Sequence, residues 1–145
     1  MTLHLIKLSV GSDCVADLEA WQLQRVAERK ARGERVSPLH ITRMAPKRQE
    51  ELLDGGSIYW VIKGEIAARQ SLDAIELFRD ADGIRRCRLW LGLIVHRVVP
   101  RPRRAFQGWR YLAPKDAPPD ISESAGDIAA MPDDLRRTLS GLGLL

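Results

Sequence analysis

Arginine and aromatic side chains are concentrated in one short segment near residue 105 of the sequence. Its members, in chain order, are Arg101, Arg103, Arg104, Phe106, Trp109, Arg110 and Tyr111. Guanidinium groups bind phosphate oxygens with two parallel hydrogen bonds, and exposed rings stack on unpaired bases for roughly 1–3 kcal/mol each. Pro100 and Pro102 restrict the backbone, which lowers the entropy lost on binding. The segment therefore predicts a surface for RNA or another polyanion.

The charge distribution supports this prediction. Residues 85–115 contain nine Lys or Arg side chains and no acid, a net charge of +9. Residues 1–84 carry −1 (12 basic, 13 acidic) and residues 116–145 carry −4 (two basic, six acidic), so the whole chain carries +4. A concentrated positive field attracts polyanions. In the alternative interpretation the rings lie in the core, the arginines pair with the acidic carboxyl-terminal segment, and the chain is an ordinary folded domain.

Two further cations flank a glycine. Lys63 and Arg69 lie on either side of Gly64, and on neighbouring strands they could line the same groove as the arginines.

A second hypothesis is an enzyme for a small phosphate-bearing or nucleotide-like substrate, with Lys63, Arg69, Arg104 and Asp116 in one cleft. A third is a protein-interaction module whose basic loop binds an acidic partner. The nucleic-acid-binding module is preferred over the enzyme.

Motifs for other chemistry do not occur. The three histidines, His4, His40 and His96, have no metal-ligand spacing. Ser57 follows Gly55-Gly56 but lacks the strand–turn–helix context of a nucleophile elbow, so a helix end is the better explanation. We therefore predict no cofactor and no metal site.

The first elements follow from local signals. Leu3, Leu5 and Leu8 predict a strand, and Ser12 or Asp13 is expected to cap a helix that ends at Gly33. The helix stripe expected to face the core consists of Cys14, Leu18, Trp21 and Arg25, with Val15, Gln22 and Val26 beside it.

Later elements are predicted as a strand at 39–44, a helix at 47–53 after Pro46, strands at 57–63, 66–78, 86–99 and 106–112, and an extended loop at 100–104. The alanines of 66–78 also suit a helix, but its alternation favours a strand. The 86–99 segment is apolar on both faces, which indicates a central strand. Prolines remove hydrogen-bond donors, so the 100–104 segment is expected to leave the sheet.

The whole pattern predicts one α+β domain over residues 1–145, with a curved or barrel-like, largely antiparallel sheet of five to seven strands and two or three packed helices. Residues 113–131 are expected to form a loop-rich acidic segment and residues 132–141 a terminal helix. The two cysteines suggest a reducing compartment. No apolar run approaches the roughly 20 residues of a membrane span, so we expect a cytoplasmic protein.

Three stretches resemble a known family. They are His4–Leu8 with Asp17–Trp21, Thr42–Arg48 with Gly55–Gly64, and Arg103–Leu112 with Asp116–Asp120. Together they are similar to an uncharacterised alphaproteobacterial family, domain of unknown function fourteen-eighty-nine, and this resemblance implies no established activity. Residues 57–112 also resemble the PUA and ASCH-type small barrels, in which the corresponding groove can bind RNA or a modified base.

Overall fold

The computed structural model describes residues 2–121, and in this range strands and helices alternate largely as the sequence predicts. The strands are β1 (His4–Leu8), β2 (Leu39–Thr42), β3 (Ser57–Ile62), β4 (Glu65–Arg79), β5 (Arg85–Leu91), β6 (His96–Pro102) and β7 (Trp109–Leu112). The helices are α1 (Val15–Ala31) and α2 (Gln49–Leu53), followed by a 3₁₀ turn at Pro114–Asp116. The predicted helix at 132–141 and most of the predicted acidic segment lie outside the described residues.

The strands form one mixed sheet in the order β2-β5-β4-β3-β1-β7, with β6 also paired to β4. The pair β1–β3 is parallel, and the other pairs between these strands are antiparallel. The α+β class and the largely antiparallel sheet are therefore confirmed. The sheet is not closed into a barrel, since β2 and β7 end the path without pairing to each other, and the likeness to PUA-type barrels is not confirmed.

Strand β4 has fifteen residues and pairs with three other strands, β3, β5 and β6. The prediction of a single strand at 86–99 is wrong. This segment forms two strands, β5 and β6, which both run antiparallel to β4. The interruption begins at Gly92, where a Cβ would lie 2.3 Å from the Ser71 hydroxyl oxygen. The predicted 100–104 loop is also wrong in part, since Pro100 and Pro102 belong to β6. Beyond Val99, β6 pairs with β4 alone within the described residues, and the missing proline donors are tolerated at such an edge.

The two faces of the sheet carry separate apolar clusters. Leu5, Ile58 and Trp60 pack with Leu18 of α1 on one face, whereas Ile6 and its neighbours pack on the other face. Adjacent strand residues point to opposite faces, which explains why Leu5 and Ile6 belong to different clusters. We call these faces the helix face and the open-strand face, the latter carrying Ile6, Tyr59, Val61, Ile66, Val98 and Leu112.

The helices begin later than predicted. The residue before α1 is Cys14, which makes no side-chain capping bond, rather than Ser12 or Asp13. The buried stripe is Val15, Leu18, Gln22, Val26 and Arg29. Trp21 is 48% exposed, so the predicted stripe is rotated relative to the observed one. In α2 the first residue is Gln49, although Gly55 does end the helix as predicted.

No helix in the described part of the chain is both long and apolar enough to span a bilayer.

Gly56, which follows α2, is required by close packing. A Cβ at this position would lie 2.2 Å from the Leu52 carbonyl oxygen and 2.3 Å from that of Leu3.

Candidate nucleic-acid interface

The loop between β6 and β7 places several predicted cations at one end of the sheet. The Arg103 backbone N–H donates to the Gly64 carbonyl at 2.8 Å, which fixes the loop against the β3–β4 turn. Lys63 lies in this turn with φ of +47°, a left-handed conformation that two-residue hairpin turns require. Its ammonium group lies 3.6 Å from Asp13, and both side chains are well exposed. The turn and the loop thus bring Lys63 close to Arg103.

Phe106 organises two of the arginines. The Cζ atoms of Arg103 and Arg110 lie 5.3 Å and 5.0 Å from the centre of its ring, so the two guanidinium carbons are at most about 10 Å apart. The ring itself packs against the open-strand face. Each cation–π contact contributes about 0.5–1 kcal/mol at an exposed site. The ring therefore keeps two guanidinium groups within about 10 Å of each other.

The neighbouring arginines have no carboxylate partner in the part of the chain that the structure describes. Arg101 donates to the backbone carbonyl of Asp116 at 2.8 Å, and Arg104 is exposed. Within residues 2–121, no carboxylate forms an ion pair with Arg101, Arg103, Arg104 or Arg110. We call the group the arginine surface, and its members are Lys63, Arg101, Arg103, Arg104, Phe106 and Arg110.

Other arginines of the basic segment are already paired. Arg86 contacts Asp80 at 2.5 Å, Arg88 contacts Glu76 at 2.7 Å and Arg97 contacts Glu19 at 3.1 Å. All three acids lie outside residues 85–115 in sequence. The +9 of that segment is therefore partly neutralised by distant acids. Within residues 2–121, Arg85 and the cations of the second half of the segment form no ion pair with a carboxylate.

Side chains of β7 alternate between the two faces of the sheet. Trp109 and Tyr111 lie on the helix face, whereas Arg110 and Leu112 point to the open-strand face. The Trp109 indole N–H donates to the Met44 carbonyl at 2.6 Å. The Tyr111 hydroxyl oxygen accepts the backbone N–H groups of Lys47 and Arg48 at 2.9 and 3.1 Å. These rings fasten the β2–α2 connection to β7. Their predicted role in base stacking remains a prediction, and they are separated from Phe106 by the sheet.

Arg69 lies three residues along β4 from Ile66, the partner of Arg101, but it is already paired with a carboxylate. It binds both carboxylate oxygens of Asp120 at 2.6 Å and the Ser57 hydroxyl oxygen at 2.9 Å. The hydrogen bonds from Arg69 hold the pKa of Asp120 below its ordinary value. Four residues of β4 separate Arg69 from the Lys63 turn, a distance of about 13 Å along the strand. Arg69 thus links β4 to Asp120 and Ser57, and its role in the groove or in the cleft of the enzyme hypothesis remains a prediction.

A cavity of about 230 Å³ lies on the helix face between β1, β2 and α1. Its lining includes Lys7, Trp21, His40 and Trp60, none of which we assigned to a site from sequence. The edge of the His40 ring faces Trp60 at 5.3 Å, and its Nε2 is buried without a hydrogen-bond partner among the described residues. Burial, aided by the charge of Lys7, lowers the pKa of His40 to about 4. No local signal reveals this cavity, since its walls come from four separate elements.

Acidification should destabilise the protein through His40. Because its pKa falls from 6.5 to about 4 on folding, the unfolded state binds more protons between these values, and stability is lost as the pH falls through this window. The maximum loss is roughly 3 kcal/mol. His4, whose pKa is lowered mainly by burial, adds a loss of the same sign.

The measurement is urea unfolding of the wild type and His40→Phe at pH 7 and pH 4.5. We expect the wild type to lose about 2 kcal/mol more than the variant, since phenylalanine keeps the ring but cannot be protonated. Equal pH dependence of the two proteins would contradict the assignment.

A wider groove of about 670 Å³ adjoins this cavity and shares Lys7 with it. Arg43, Met44 and Trp109 line the groove, together with Gln107 and Gly108 of the β6–β7 loop. The described residues contain no cluster of three or more His, Cys, Asp or Glu suited to a metal ion.

Comparison with known proteins gives one match. A family model described as "Protein of unknown function (DUF1489)" covers residues 5–145. No curated protein and no solved structure matches the chain.

Proposed function

The chain belongs to the DUF1489 family, and we propose that it is a module that binds single-stranded RNA through the arginine surface. The proposal is supported chiefly by one observation. Arg101, Arg103, Arg104 and Arg110 have no carboxylate partner within residues 2–121, whereas Arg69, Arg86, Arg88 and Arg97 do.

The geometry suits phosphate binding. Arg103 and Arg110 lie against the Phe106 ring, and this contact restricts the two side chains, so less side-chain entropy is lost when a phosphate is bound. The planar donor fork of each guanidinium then matches two phosphate oxygens. A base of an unpaired strand can stack on the outer surface of a guanidinium group held in this way, because stacking on arginine planes is a common feature of RNA recognition.

The test is the salt dependence of binding to a labelled single-stranded RNA, followed by fluorescence anisotropy. Four phosphate contacts predict a slope of log K against log salt of about −3. The affinity should therefore fall roughly 50-fold between 50 and 200 mM salt. Single-stranded DNA and duplex RNA of the same sequence serve as comparison ligands.

Two results would overturn the proposal. One is the absence of binding at 50 mM salt, and the other is an affinity that salt does not change, because phosphate contacts release counterions. Equal affinity for duplex RNA would indicate a surface that binds polyanions in general and not a module for single strands.

A further inference from the structure

The cavity on the helix face is too large for a single structural water. At about 30 Å³ per water in the liquid, its volume of about 230 Å³ corresponds to nearly eight water molecules. It has room for a flat heteroaromatic base. The adjoining groove of about 670 Å³ provides space for a sugar and a phosphate.

The walls and the polar groups of the cavity also suit such a ring. Trp21 and Trp60 provide flat apolar surface, and Trp60 cannot rotate freely because its indole N–H donates to Gln70 at 2.9 Å. His40 also lines the cavity, although its unpartnered Nε2 is covered by neighbouring atoms. Ser9 and Ser12 line the same cavity, and the Ser9 hydroxyl donates to the Ser12 hydroxyl oxygen at 3.1 Å. A heteroaromatic edge with donors and acceptors could hydrogen-bond to these hydroxyls.

Charge fixes the orientation of a ligand. Lys7 belongs to both the cavity and the groove, and Arg43 lines the groove. Asp17 lies at the α1 end of the cavity, where its carboxylate disfavours an anion. A phosphate is therefore expected at the Lys7–Arg43 end, and the uncharged ring at the Trp60–His40 end.

From this arrangement we propose that the cavity and groove together bind one nucleotide, either free or as the terminal nucleotide of a strand. The base lies between Trp60 and Trp21 beside His40, and the phosphate contacts Lys7 and Arg43. This site shares no residue with the arginine surface, and its existence does not depend on the proposed RNA-binding function.

Tryptophan fluorescence provides a direct assay. Of the four tryptophans, Trp21, Trp60 and Trp109 line the cavity or the groove, whereas Trp90 lies against Arg35. In a Trp90→Phe background the emission therefore reports on the site. We expect a saturable change with at least one of AMP, GMP, CMP and UMP, with Kd below about 1 mM. The corresponding nucleoside should bind at least 10-fold more weakly.

Substitutions distinguish the phosphate-binding end of the site from the base-binding end. Lys7→Met, which keeps the aliphatic stem, should reduce the preference for nucleotide over nucleoside, with Arg43 as the remaining cation at the phosphate. His40→Phe should reduce the preference among the four bases. The matched control is Arg85→Gln, an exposed cation at the β4–β5 end of the sheet, which should change neither property. A 5′-phosphorylated trinucleotide that binds more tightly than the mononucleotide identifies a strand end as the ligand, and equal affinity identifies the free nucleotide.

The proposal is overturned by the absence of a saturable change with all four monophosphates at about 10 mM, by inorganic phosphate binding as tightly as the nucleotides, or by unchanged nucleotide affinity in Lys7→Met. These results are distinct from failure of the proposed RNA-binding function. A variant that lacks Arg103, Arg104 and Arg110 should lose RNA binding but keep mononucleotide binding.

Discussion

Replacing Gln70 with alanine should lower the free energy of unfolding by about 3–5 kcal/mol. Gln70 is fully buried in the sheet. Its amide nitrogen donates to the Gln22 side-chain oxygen at 2.6 Å and to the Gly92 carbonyl at 3.0 Å. Its amide oxygen accepts from the Gln22 amide at 2.7 Å and from the Trp60 indole at 2.9 Å. All four hydrogen-bonding positions of the side chain are used.

The large effect follows because truncation leaves these partners without a hydrogen bond in the core and also opens a cavity. Urea unfolding followed by circular dichroism measures it without relying on the emission of Trp60. Gln24→Ala, at an exposed position of α1, is the matched control and should change stability by less than about 0.5 kcal/mol.

The Gln22–Gln70 pair can be tested by a double-mutant cycle. Gln22→Ala should cost less than Gln70→Ala, since the contacts of Gln70 with Trp60 and Gly92 remain. The double variant should cost less than the sum of the single variants, because the second truncation no longer leaves its partner unsatisfied. Additive effects, or a cost below about 1 kcal/mol for Gln70→Ala, would show that this amide pair does not stabilise the packing of α1 on the sheet.

The triple variant Arg103→Gln, Arg104→Gln, Arg110→Gln should weaken binding of single-stranded RNA by about 100-fold at 50 mM salt. Each lost phosphate contact removes roughly 1 kcal/mol, a conservative value for a charge-assisted hydrogen bond. The slope of log K against log salt should become shallower by about 2, since three contacts contribute about 0.7 each. Anisotropy titrations at several salt concentrations measure both quantities.

Folding is not expected to confound this result, because the three side chains form no ion pair within residues 2–121. Arg85→Gln removes an exposed charge from the same basic segment at the other end of the sheet, and it should change the affinity less than about threefold. Phe106→Leu keeps an apolar contact but releases Arg103 and Arg110, so an intermediate loss is expected. Equal losses in the triple variant and in Arg85→Gln would indicate attraction by net charge and not a defined surface.

Local sequence features predicted most of the elements. β-Branched and aromatic residues predicted β3, and alternation in 66–78 predicted β4. Gly64 marked the hairpin turn, and Gly33 marked the end of α1. These features could be predicted because strand alternation and left-handed turn residues depend on neighbours only a few positions away. The rotation of the α1 stripe and the break at Gly92 could not, because both depend on partners from other strands.

For the candidate sites, too, some features could be predicted from local sequence and others depend on the tertiary structure. The concentration of arginines and rings in residues 101–111 and the absence of acids from residues 85–115 are visible in the sequence. Which cations are neutralised depends on the folded arrangement. Arg69 pairs with Asp120, 51 residues away, and Arg97 with Glu19, 78 residues away. Likewise, Lys7, His40 and Trp60 meet because β1 and β3 pair in parallel after a long crossover that contains α1 and β2. Ion pairing and cavity formation depend on distances in space, which the spacing of residues along the chain does not specify.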